Sequence, residues 1–368
     1  MGKILILANS ASGLYDFRNE LIQRLLREHT VFVSLPDAEK VPEFAEEGCT
    51  VFHTAIDRRG INPARDMKLL FDYWMLMRRV RPDVVLTYTI KPNIYGNLCC
   101  RFLGIPYLAN ITGLGSAFEQ DSMVRRIVVL LYRMALRGAA CIFFQNRANR
   151  ELFARFHIRG KKTRILPGSG VSLERYGCQE YPPEDARMIL LYVGRVMKEK
   201  GIDELLYAAS RLHRECPELV VRLVGNYEED YREAIEQCER ENIVEHIGYQ
   251  KEIAPFYREA SAVIMPSYHE GMSNVVLEAA ASARPVIASR IPGCQEGFEE
   301  GVTGFGFAPR DREALLEALR KFVRLPYAQR VQMGKNARKK MEREFDRRQV
   351  VDAYMEEIHN TMKGENKR

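Results

Sequence analysis

Short apolar segments alternate with longer amphipathic segments along the chain, and this alternation most constrains the fold. In the first half the apolar segments have the length of buried strands, and helical patterns occupy several of the gaps between them. The strand candidates are Ile4 to Ala8, Thr30 to Leu35, Val84 to Tyr88, Tyr107 to Ile111, Ala140 to Gln145 and Arg164 to Leu166. Strands that alternate with helices predict a parallel sheet covered on both faces.

The alternation returns in the second half, after a segment rich in turn residues between Pro167 and Pro183. Its strand candidates are Ile189 to Val193, Val220 to Val224, Ala262 to Met265 and Pro285 to Ala288. Its helix candidates are Ile202 to Arg214, Tyr231 to Glu241, Asn274 to Ala283 and Arg312 to Phe322. We predict an α/β protein with two Rossmann-like parallel-sheet domains, 1–168 and 185–345, which face each other across a cleft. A C-terminal helix in 346–368 should pack back on the first domain.

The composition is that of a globular protein. Of 368 residues, 46% are hydrophobic and 28% are charged, which excludes intrinsic disorder. No apolar run approaches the roughly 18 residues of a membrane span, and Met1 to Asn9 is typical of a strand rather than of a secretory signal. Without a secretory signal we expect a cytoplasmic location. The eight cysteines are scattered without zinc-type spacing, so we expect reduced thiols and no metal site.

Positive charge is concentrated in the first half of the chain. Residues 1–168 contain 25 Lys and Arg against 15 Asp and Glu, whereas residues 169–368 contain 30 against 34. A basic domain is typical of proteins that contact anionic lipid, phosphate groups or nucleic acid. Aromatic residues are not interleaved with the Lys and Arg residues as a base-stacking surface would need, which argues against nucleic acid.

Two segments of the basic half have the pattern of helices that lie on a membrane. Met67 to Arg81 and Ser122 to Arg137 each combine arginines with large apolar side chains at helical spacing. Helices that face a protein core and expose their arginines have the same pattern. Together with the basic charge, the two segments predict peripheral association with an anionic membrane surface.

The first candidate for chemistry follows the strand that ends at Val193. Its sequence is Gly194-Arg195-Val196-Met197-Lys198-Glu199-Lys200-Gly201, and a helical pattern begins directly after it. The amide groups at the start of a helix carry partial positive charge, to which Arg195 and Lys200 add two cations. A phosphate or diphosphate would fit here, although a solvated charged turn has the same sequence pattern.

The second candidate follows the strand that ends at Met265. It is His269-Glu270-Gly271-Met272-Ser273-Asn274, and it leads into a helix that carries Glu278. A lone helical Glu usually lies on the surface, but the neighbours of Glu278 are apolar or small, so this helix should be largely buried. The spacing of eight residues lets Glu278 reach the same cavity as Glu270.

A third candidate is the first connection between strand and helix, Asn9 to Arg18. It is polar and contains Gly13, so we expect a loop whose backbone a ligand can approach. It is not a G-x-G-x-x-G element, and the sequence also lacks the phosphate-binding G-x-x-x-x-G-K-[ST], H-E-x-x-H and G-x-S-x-G patterns. The sequence therefore contains none of the motifs that would indicate a dehydrogenase, a P-loop enzyme, a zinc protease or a serine hydrolase.

These segments together resemble the retaining glycosyltransferases of family 4, which have the GT-B fold. The resemblance covers essentially the whole chain. Its most specific parts are Gly194-Arg195 with Lys200-Gly201, the segment from Glu270 to Glu278 with Ala279, and Ile291-Pro-Gly-Cys294 with Glu296 and Gly301-x-x-Gly304. The resemblance implies a hexosyltransferase whose donor site needs no metal and no cofactor. The absence of a D-x-D triplet from the sequence agrees with this.

The resemblance also implies a role for each matched residue. Arg195 and Lys200 would hold the donor diphosphate, and Glu270 would contact the sugar hydroxyls, which makes these three the candidate catalytic residues. Glu278 would take the ribose, and the loop at Gly13 would close over the donor. The full set of expected donor-binding residues is Gly13, Gly194, Arg195, Lys200, Glu270, Gly271, Met272, Ser273, Asn274, Val275 and Glu278.

Two further segments, Tyr88 to Gly96 and Asn110 to Gly115, resemble the branch that adds amino sugars from UDP donors to polyprenyl-diphosphate-linked saccharides. The expected reaction moves an N-acetylated hexosamine or a hexose from a UDP-sugar to a hydroxyl of such an acceptor, in bacterial surface glycan biosynthesis. It would take place at the cytoplasmic face of the plasma membrane. Many family members have a histidine after the strand that here ends Asn110-Ile111-Thr112, and this sequence has none nearby, so no acceptor-side residue is assigned.

Three other interpretations remain open at this point. A sugar-nucleotide epimerase of the same fold would consume a UDP-sugar without an acceptor, and a transferase could use a soluble acceptor. A non-catalytic sensor of nucleotide sugars would keep Arg195 and Lys200 but would not need Glu270, which is present.

Overall fold

A computed structural model of the chain describes residues 1–57, 60, 62–113 and 123–365. The chain divides into two compact units. Unit 1 consists of Met1–Ser169 and Arg348–Arg368, and unit 2 consists of Gly170–Arg347. Gly115 and Ser122, which bound two of the segments singled out in the sequence, lie outside the described residues.

Unit 1 is built around one parallel sheet. Its elements are β1 (Lys3–Leu7), α1 (Ala11–Leu26), β2 (Thr30–Leu35), α2 (Val41–Glu46), β3 (Thr50–His53), α3 (Pro63–Val80), β4 (Val84–Tyr88), a π-helical turn (Pro92–Gly96), α4 (Asn97–Leu103), β5 (Tyr107–Ile111), α5 (Met123–Leu136), β6 (Cys141–Phe144), α6 (Arg147–Arg155) and β7 (Thr163–Ile165). The seven strands lie in the order β3-β2-β1-β4-β5-β6-β7. Strands β4 and β5 are buried along their whole length because helices cover both faces of the sheet.

The last helix, α13 (Arg347–Glu365), completes unit 1. Its apolar stripe includes Val350, Tyr354 and Ile358, which are buried in the core with β1, β4 and β6. The Tyr354 hydroxyl donates a hydrogen bond to the side-chain oxygen of Asn110, and its ring packs against that of Phe143 with 4.5 Å between centroids. The predicted return of the C-terminal helix to the first domain is confirmed.

Unit 2 contains a second parallel sheet. Its elements are β8 (Ile189–Val193), a 3₁₀ turn (Lys198–Lys200), α7 (Ile202–Glu215), β9 (Val220–Val224), α8 (Arg232–Arg240), β10 (Val244–Gly248), α9 (Ala254–Glu259), β11 (Ala262–Met265), α10 (Asn274–Ala281), β12 (Val286–Ser289), a 3₁₀ turn (Gln295–Gly297), β13 (Gly304–Phe307), α11 (Arg312–Val323) and α12 (Tyr327–Glu344). The six strands lie in the order β10-β9-β8-β11-β12-β13. The predicted class, two Rossmann-like parallel-sheet domains, is confirmed.

The two units repeat one plan. In each sheet the strand order reverses once, between β1 and β4 in unit 1 and between β8 and β11 in unit 2. Loops on either side of such a reversal diverge at the carboxyl ends of the strands and leave a crevice, which is where parallel sheets bind ligands. None of the helices in the described residues has the length and apolar composition that a bilayer-spanning segment requires.

Candidate active site

Three loops meet at the reversal point of unit 2. We name them the β8 loop (residues 194–201), the β11 loop (266–273) and the β12 loop (290–294). The amide of Tyr268 donates to the carbonyl of Glu199 at 2.9 Å, which joins the first two loops. The amide of Ser273 donates to the carbonyl of Gly293 at 2.7 Å, which joins the second and third.

Two glycines allow this close packing. Gly201 has φ +72°, and a Cβ there would lie 2.2 Å from the carbonyl oxygen of Pro266. Gly293 has φ +89°, and a Cβ there would lie 2.7 Å from the carbonyl oxygens of Glu270 and Gly271. Any larger residue would combine a disfavoured backbone conformation with a clash against backbone, so both positions need glycine.

Lys200 and Glu270 form an ion pair across the first two loops. The Lys200 Nζ lies 2.5 Å from Glu270 Oε1, and the two side chains are 20% and 17% exposed. Both charges are thus held at the carboxyl edge of the sheet and remain accessible from solvent. An anionic ligand that entered here could replace the carboxylate as the partner of Lys200 and leave Glu270 for a neutral, hydroxyl-bearing group.

Arg195 lies in the β8 loop but has a different partner. Its Nη1 is 3.3 Å from Glu228 Oε1, and its side chain is half exposed. Arg195 and Glu270 both act on the buried Tyr192 hydroxyl, which donates to the Arg195 carbonyl at 2.7 Å. Burial raises the pKa of Tyr192, and the negative charge of Glu270 raises this pKa further. The positive charge of Arg195 lowers it. The charges of the two predicted residues therefore act in opposite directions on the same hydroxyl.

The sequence patterns did not predict the loop that carries Glu228. This loop follows β9 and begins with Gly225-Asn226, just as the β8 loop begins with Gly194-Arg195. The two loops are paired, since the Val196 amide donates to the Asn226 carbonyl at 2.8 Å. The repeated glycine after neighbouring strands was a usable signal for a second loop at this edge.

The start of α10 supplies backbone donors beside Glu270. Ser273 is the N-cap, and its Oγ accepts from the Val276 amide at 3.4 Å. The amides of Asn274 and Val275 belong to the first turn, where no carbonyl of the same helix can accept from them. This helix end is suited to an anion.

Glu278 lies farther along α10 and has its own surroundings. The helix is largely buried, as predicted. Glu278 is 9% exposed, accepts a hydrogen bond from the Tyr257 hydroxyl at 2.9 Å and also contacts Tyr176. Burial raises its pKa to about 7, against the effect of the two tyrosines and of Arg347. The carboxylates of Glu270 and Glu278 thus have separate partners, a lysine for the first and tyrosines for the second.

The prediction of a loop at Gly13 is wrong. Ser10 is the N-cap of α1, and its Oγ accepts from the Gly13 amide at 3.2 Å, so the helix already begins at Ala11. Gly13 therefore lies in the first helical turn of unit 1. The polar composition that suggested a loop instead reflects the capping preference of serine.

Unit 1 has a cavity at its own reversal point. It measures about 250 Å³, and its polar lining includes Asn9 after β1, Thr89 and Lys91 after β4, and Thr112 after β5. Thr89 has φ +73°, a conformation that a β-branched residue rarely adopts. Its hydroxyl is buried and has no partner among the described residues. Lys91 forms an ion pair with Asp66 at 2.6 Å.

The segments that carried the narrower resemblance contribute buried polar contacts below this cavity. Asn93 donates to the carbonyl of Asn110 at 2.7 Å, and Asn110 donates to the carbonyl of Thr87 at 3.0 Å. The Thr87 hydroxyl donates to Asn93 Oδ1 at 2.7 Å. These bonds tie the turn after β4 to β5, the two elements that are followed by Thr89, Lys91 and Thr112 of the cavity or contain them.

One group of side chains in the described residues has a composition that could hold a metal. The ligand atoms of Glu28, His29 and His359 lie within 4.8 Å of one another in unit 1. Protein partners already occupy several of these atoms. Glu28 contacts Arg24 and His359, and His29 Nδ1 accepts from the Gly2 amide at 3.3 Å.

Two family matches cover most of the chain. Residues 17–168 match the family described as "Glycosyl transferase 4-like domain". Residues 179–340 match "Glycosyl transferases group 1". The first match falls in unit 1, and the second contains all three loops of the reversal point in unit 2.

Curated relatives point the same way. A glycogen synthase of Mycobacterium tuberculosis is 30% identical over 290 residues, which cover 75% of this chain and 68% of the relative. A Campylobacter jejuni enzyme is 24% identical over 334 residues, which cover 86% and 88%. Its name is N,N'-diacetylbacillosaminyl-diphospho-undecaprenol alpha-1,3-N-acetylgalactosaminyltransferase.

Solved structures share the fold. The Anabaena protein HepE, crystallised with UDP and glucose, superposes with a TM-score of 0.80 at 18% identity, covering 98% of this chain and 100% of that one. The fold is thus GT-B, as the resemblance implied. From the sequence matches and this fold we conclude that the chain belongs to the glycosyltransferases that combine a glycosyl transferase 4-like domain with a group 1 domain.

Proposed function

We propose that this glycosyltransferase moves an N-acetylated hexosamine or a hexose from a UDP-sugar to a hydroxyl of a polyprenyl-diphosphate-linked saccharide, with retention of configuration. The observation that carries the proposal is the Lys200–Glu270 pair at the reversal point of unit 2. A cation and an acid held side by side match the two parts of a nucleotide sugar, a diphosphate and a hydroxyl-rich ring.

The proposed donor site uses the groups around that pair. Lys200 and Arg195 bind the diphosphate together with the first-turn amides of α10. Glu270 accepts hydrogen bonds from the sugar hydroxyls, and Glu278 accepts one from the ribose. Gly194, Gly271 and Met272 shape the loops, and Gly201 and Gly293 set how closely these loops pack.

In the proposed reaction an acceptor hydroxyl attacks the anomeric carbon of the sugar. The bond from that carbon to the phosphate oxygen breaks, UDP leaves with the bonding electrons, and the acceptor proton passes to the departing phosphate. Negative charge therefore grows on the phosphate in the transition state. Fixed cations and helix-end amides lower the barrier by stabilising that charge, which is a task that a metal ion performs in other transferases.

Support for the acceptor and the donor comes from the relatives. The Campylobacter jejuni enzyme acts, by its name, on a sugar linked to diphospho-undecaprenol. HepE was crystallised with UDP and glucose.

We assign the cavity with Asn9, Thr89 and Lys91 in unit 1 to the acceptor, because polar groups converge there at the carboxyl edge of the sheet. A lipid-linked acceptor also implies work at the cytoplasmic face of the plasma membrane, on an anionic surface that suits the basic unit 1.

The experiment compares UDP binding with sugar transfer. Calorimetric titration with UDP tests the donor site, and release of UDP from UDP-sugars is measured with and without a polyprenyl-diphosphate-linked sugar. Glu270→Gln should lower transfer by about 10²–10³-fold and leave UDP affinity nearly unchanged, since Glu270 is assigned to the sugar. Arg195→Ala should weaken UDP by about tenfold or more because a charged hydrogen bond is lost.

Lys198→Ala is the matched control, because Lys198 is an exposed cation of the same loop. It should change neither quantity. Full transfer by Glu270→Gln, or no binding of UDP to the parent protein, would contradict the proposal. Conversion of the UDP-sugar to another UDP-sugar without acceptor would identify an epimerase, and transfer only to water-soluble sugars would replace the lipid-linked acceptor.

A further inference from the structure

Exposed apolar side chains are concentrated on one part of unit 1. Twelve large apolar side chains are strongly exposed among the residues that the structure describes, and eight of them lie on the neighbouring helices α3, α4 and α5. These eight are Met67, Phe71, Met75, Phe102, Met123, Ile127, Leu130 and Met134. Such a concentration on the surface of a folded domain marks a site of interaction.

Helix α4 contacts both α3 and α5, so the exposed side chains of the three helices belong to one surface. A groove of about 280 Å³ between α3 and α4 is lined by Met67, Phe71 and Trp74 from the first helix and by Phe102 from the second. Arg101 of α4 donates a hydrogen bond to the Met134 carbonyl of α5. We call this surface the α3–α5 face and define it by the eight apolar residues above together with Trp74.

Helix α5 has two apolar sides, one buried and one exposed. Val129, Tyr132 and Leu136 are buried against the sheet. Ile127, Leu130 and Met134 are exposed on the opposite side. Beside them lie three exposed arginines, Arg126 and Arg133 of the helix and Arg137 directly after its last residue. A helix with one stripe in the core and a second apolar stripe flanked by cations is suited to lie in a membrane interface.

The charge around the α3–α5 face selects the partner. Helices α3, α4 and α5 contain eight Lys and Arg against two Asp, and one of these two, Asp66, is paired with Lys91. On α3 the Arg78 guanidinium lies 5.0 Å from the centre of the Trp74 ring, which places a cation directly beside the groove. Cations around apolar side chains complement a surface of anionic head groups above hydrocarbon.

We propose that the α3–α5 face docks unit 1 on the surface of an anionic phospholipid bilayer, with Trp74 and its groove immersed among the upper segments of the lipid chains. The proposal deepens the proposed function and rests on it for one point, that the acceptor is anchored in a bilayer. It commits to a specific surface, whereas the basic charge of unit 1 alone does not.

Trp74 reports on this docking directly because it is the only tryptophan of the chain. The parent protein is mixed with vesicles of phosphatidylcholine that contain phosphatidylglycerol, at low salt. We expect it to sediment with these vesicles, its fluorescence to shift to shorter wavelength, and lipids brominated on their acyl chains to quench it. Pure phosphatidylcholine vesicles and high salt should each weaken binding strongly, because both remove the electrostatic attraction.

Two double variants test the two components of the face. Phe102→Ser with Leu130→Ser should lower vesicle binding by about tenfold or more, since full burial of large apolar side chains favours association by that order. Arg126→Glu with Arg137→Glu should abolish the preference for phosphatidylglycerol. The matched controls lie in unit 2, where Tyr249→Ser removes an exposed aromatic and Lys335→Glu with Lys339→Glu reverses two exposed cations. Both controls should bind vesicles as the parent does.

The outcomes separate this proposal from the donor-site proposal. UDP binding and transfer to a short-chain soluble acceptor should stay unchanged in both face variants. If the face variants still bind vesicles, or if vesicles leave the Trp74 spectrum of the parent unchanged, docking through the α3–α5 face is contradicted even if UDP binds. If the parent forms dimers and the Phe102→Ser and Leu130→Ser changes dissociate them, the occupant of the face is a second copy of the chain. That result would also overturn membrane docking. Loss of UDP binding with intact vesicle binding would overturn only the donor site.

Discussion

Two glutamates eight positions apart on the chain occupy opposite chemical environments. Glu270 faces a lysine in a partly exposed loop, whereas Glu278 is buried among tyrosine hydroxyls. The first keeps its charge balanced by a cation, and the second has its pKa raised to about 7 by burial. Different environments give neighbouring acids different tasks, which agrees with a sugar contact for Glu270 and a ribose contact for Glu278.

The sequence predicts candidate site residues but not their partners. The residue types and spacings around Lys200, Glu270 and Glu278 are local features, and these are visible in one sequence. Their partners are not local, since Glu228 follows another strand and Tyr257 lies on another helix. At Gly13 the local structure itself was mispredicted. A polar, glycine-containing segment is compatible with a loop and also with a capped helix start.

The raised pKa of Glu278 predicts a pH dependence of stability. The folded state holds the proton up to about pH 7, whereas the unfolded chain releases it near the ordinary value of 4.5. The stabilising contribution is therefore complete below pH 4.5 and is lost as the pH rises through 7. The isosteric Glu278→Gln removes the titration. From about pH 5 to pH 8 the parent should lose up to about 3 kcal/mol of stability relative to this variant.

Chemical denaturation of both proteins at several pH values measures this difference. Tyr257→Phe serves as a second variant, because loss of the hydroxyl that donates to the carboxylate should raise the pKa of Glu278 further. The decline should then still begin near pH 4.5 but continue to a higher pH. Parallel pH profiles of parent and Glu278→Gln would contradict the assignment of the titration to this residue.

At the scale of elements, the strands that sequence analysis missed share a position. They are β3, β10 and β13, and each forms an edge of its sheet. Strands β3 and β10 are partly exposed and have no continuous apolar run. Strand β13 is mostly buried, but its sequence alternates glycine with phenylalanine and so lacks an apolar run as well. The central strands were predicted nearly to the residue because helices cover both of their faces.

The junction of the β8 and β11 loops can be tested with a pair of glycines. Gly201 and Gly248 have nearly the same φ, +72° and +74°, but only Gly201 meets another backbone where its Cβ would be. Alanine at either position should cost about 1 kcal/mol for the backbone conformation. Gly201→Ala should cost about 1–3 kcal/mol more, because the loop must move away from Pro266.

Denaturation gives both stabilities, and UDP titration separates the two variants further. Gly201→Ala should weaken UDP, since Lys200 precedes the glycine, whereas Gly248→Ala should leave UDP affinity unchanged. Equal stability and equal UDP affinity of the two variants would show that the contact with Pro266 does not hold the β8 loop in place.

At the scale of the whole molecule, unit 2 is a single continuous segment inserted between the two parts of unit 1. Sequence periodicity predicted both sheets and the returning helix, because each sheet repeats the same alternation. It could not show which face of the first sheet receives α13, since that depends on contacts between residues more than two hundred positions apart, such as Tyr354 and Asn110.

The contribution of α13 to unit 1 can be measured at Ile358, which is fully buried. Ile358→Ala should destabilise unit 1 by about 2–5 kcal/mol, because it leaves a cavity in the core. Asp352→Ala changes an exposed residue of the same helix and should have little effect. Calorimetric unfolding with and without UDP assigns the transitions, because UDP should raise only that of unit 2. A lowered transition of unit 2 alone would contradict this division of the chain.

The late position of α13 also affects biosynthesis. A ribosome completes every strand of the first sheet before it makes the helix that covers the apolar side chains of β1, β4 and β6. The second sheet is translated in the interval and can fold as an uninterrupted piece, while the nascent first sheet lacks part of the cover on one face. Chaperones that recognise apolar surfaces should therefore engage the nascent chain until α13 has left the exit tunnel.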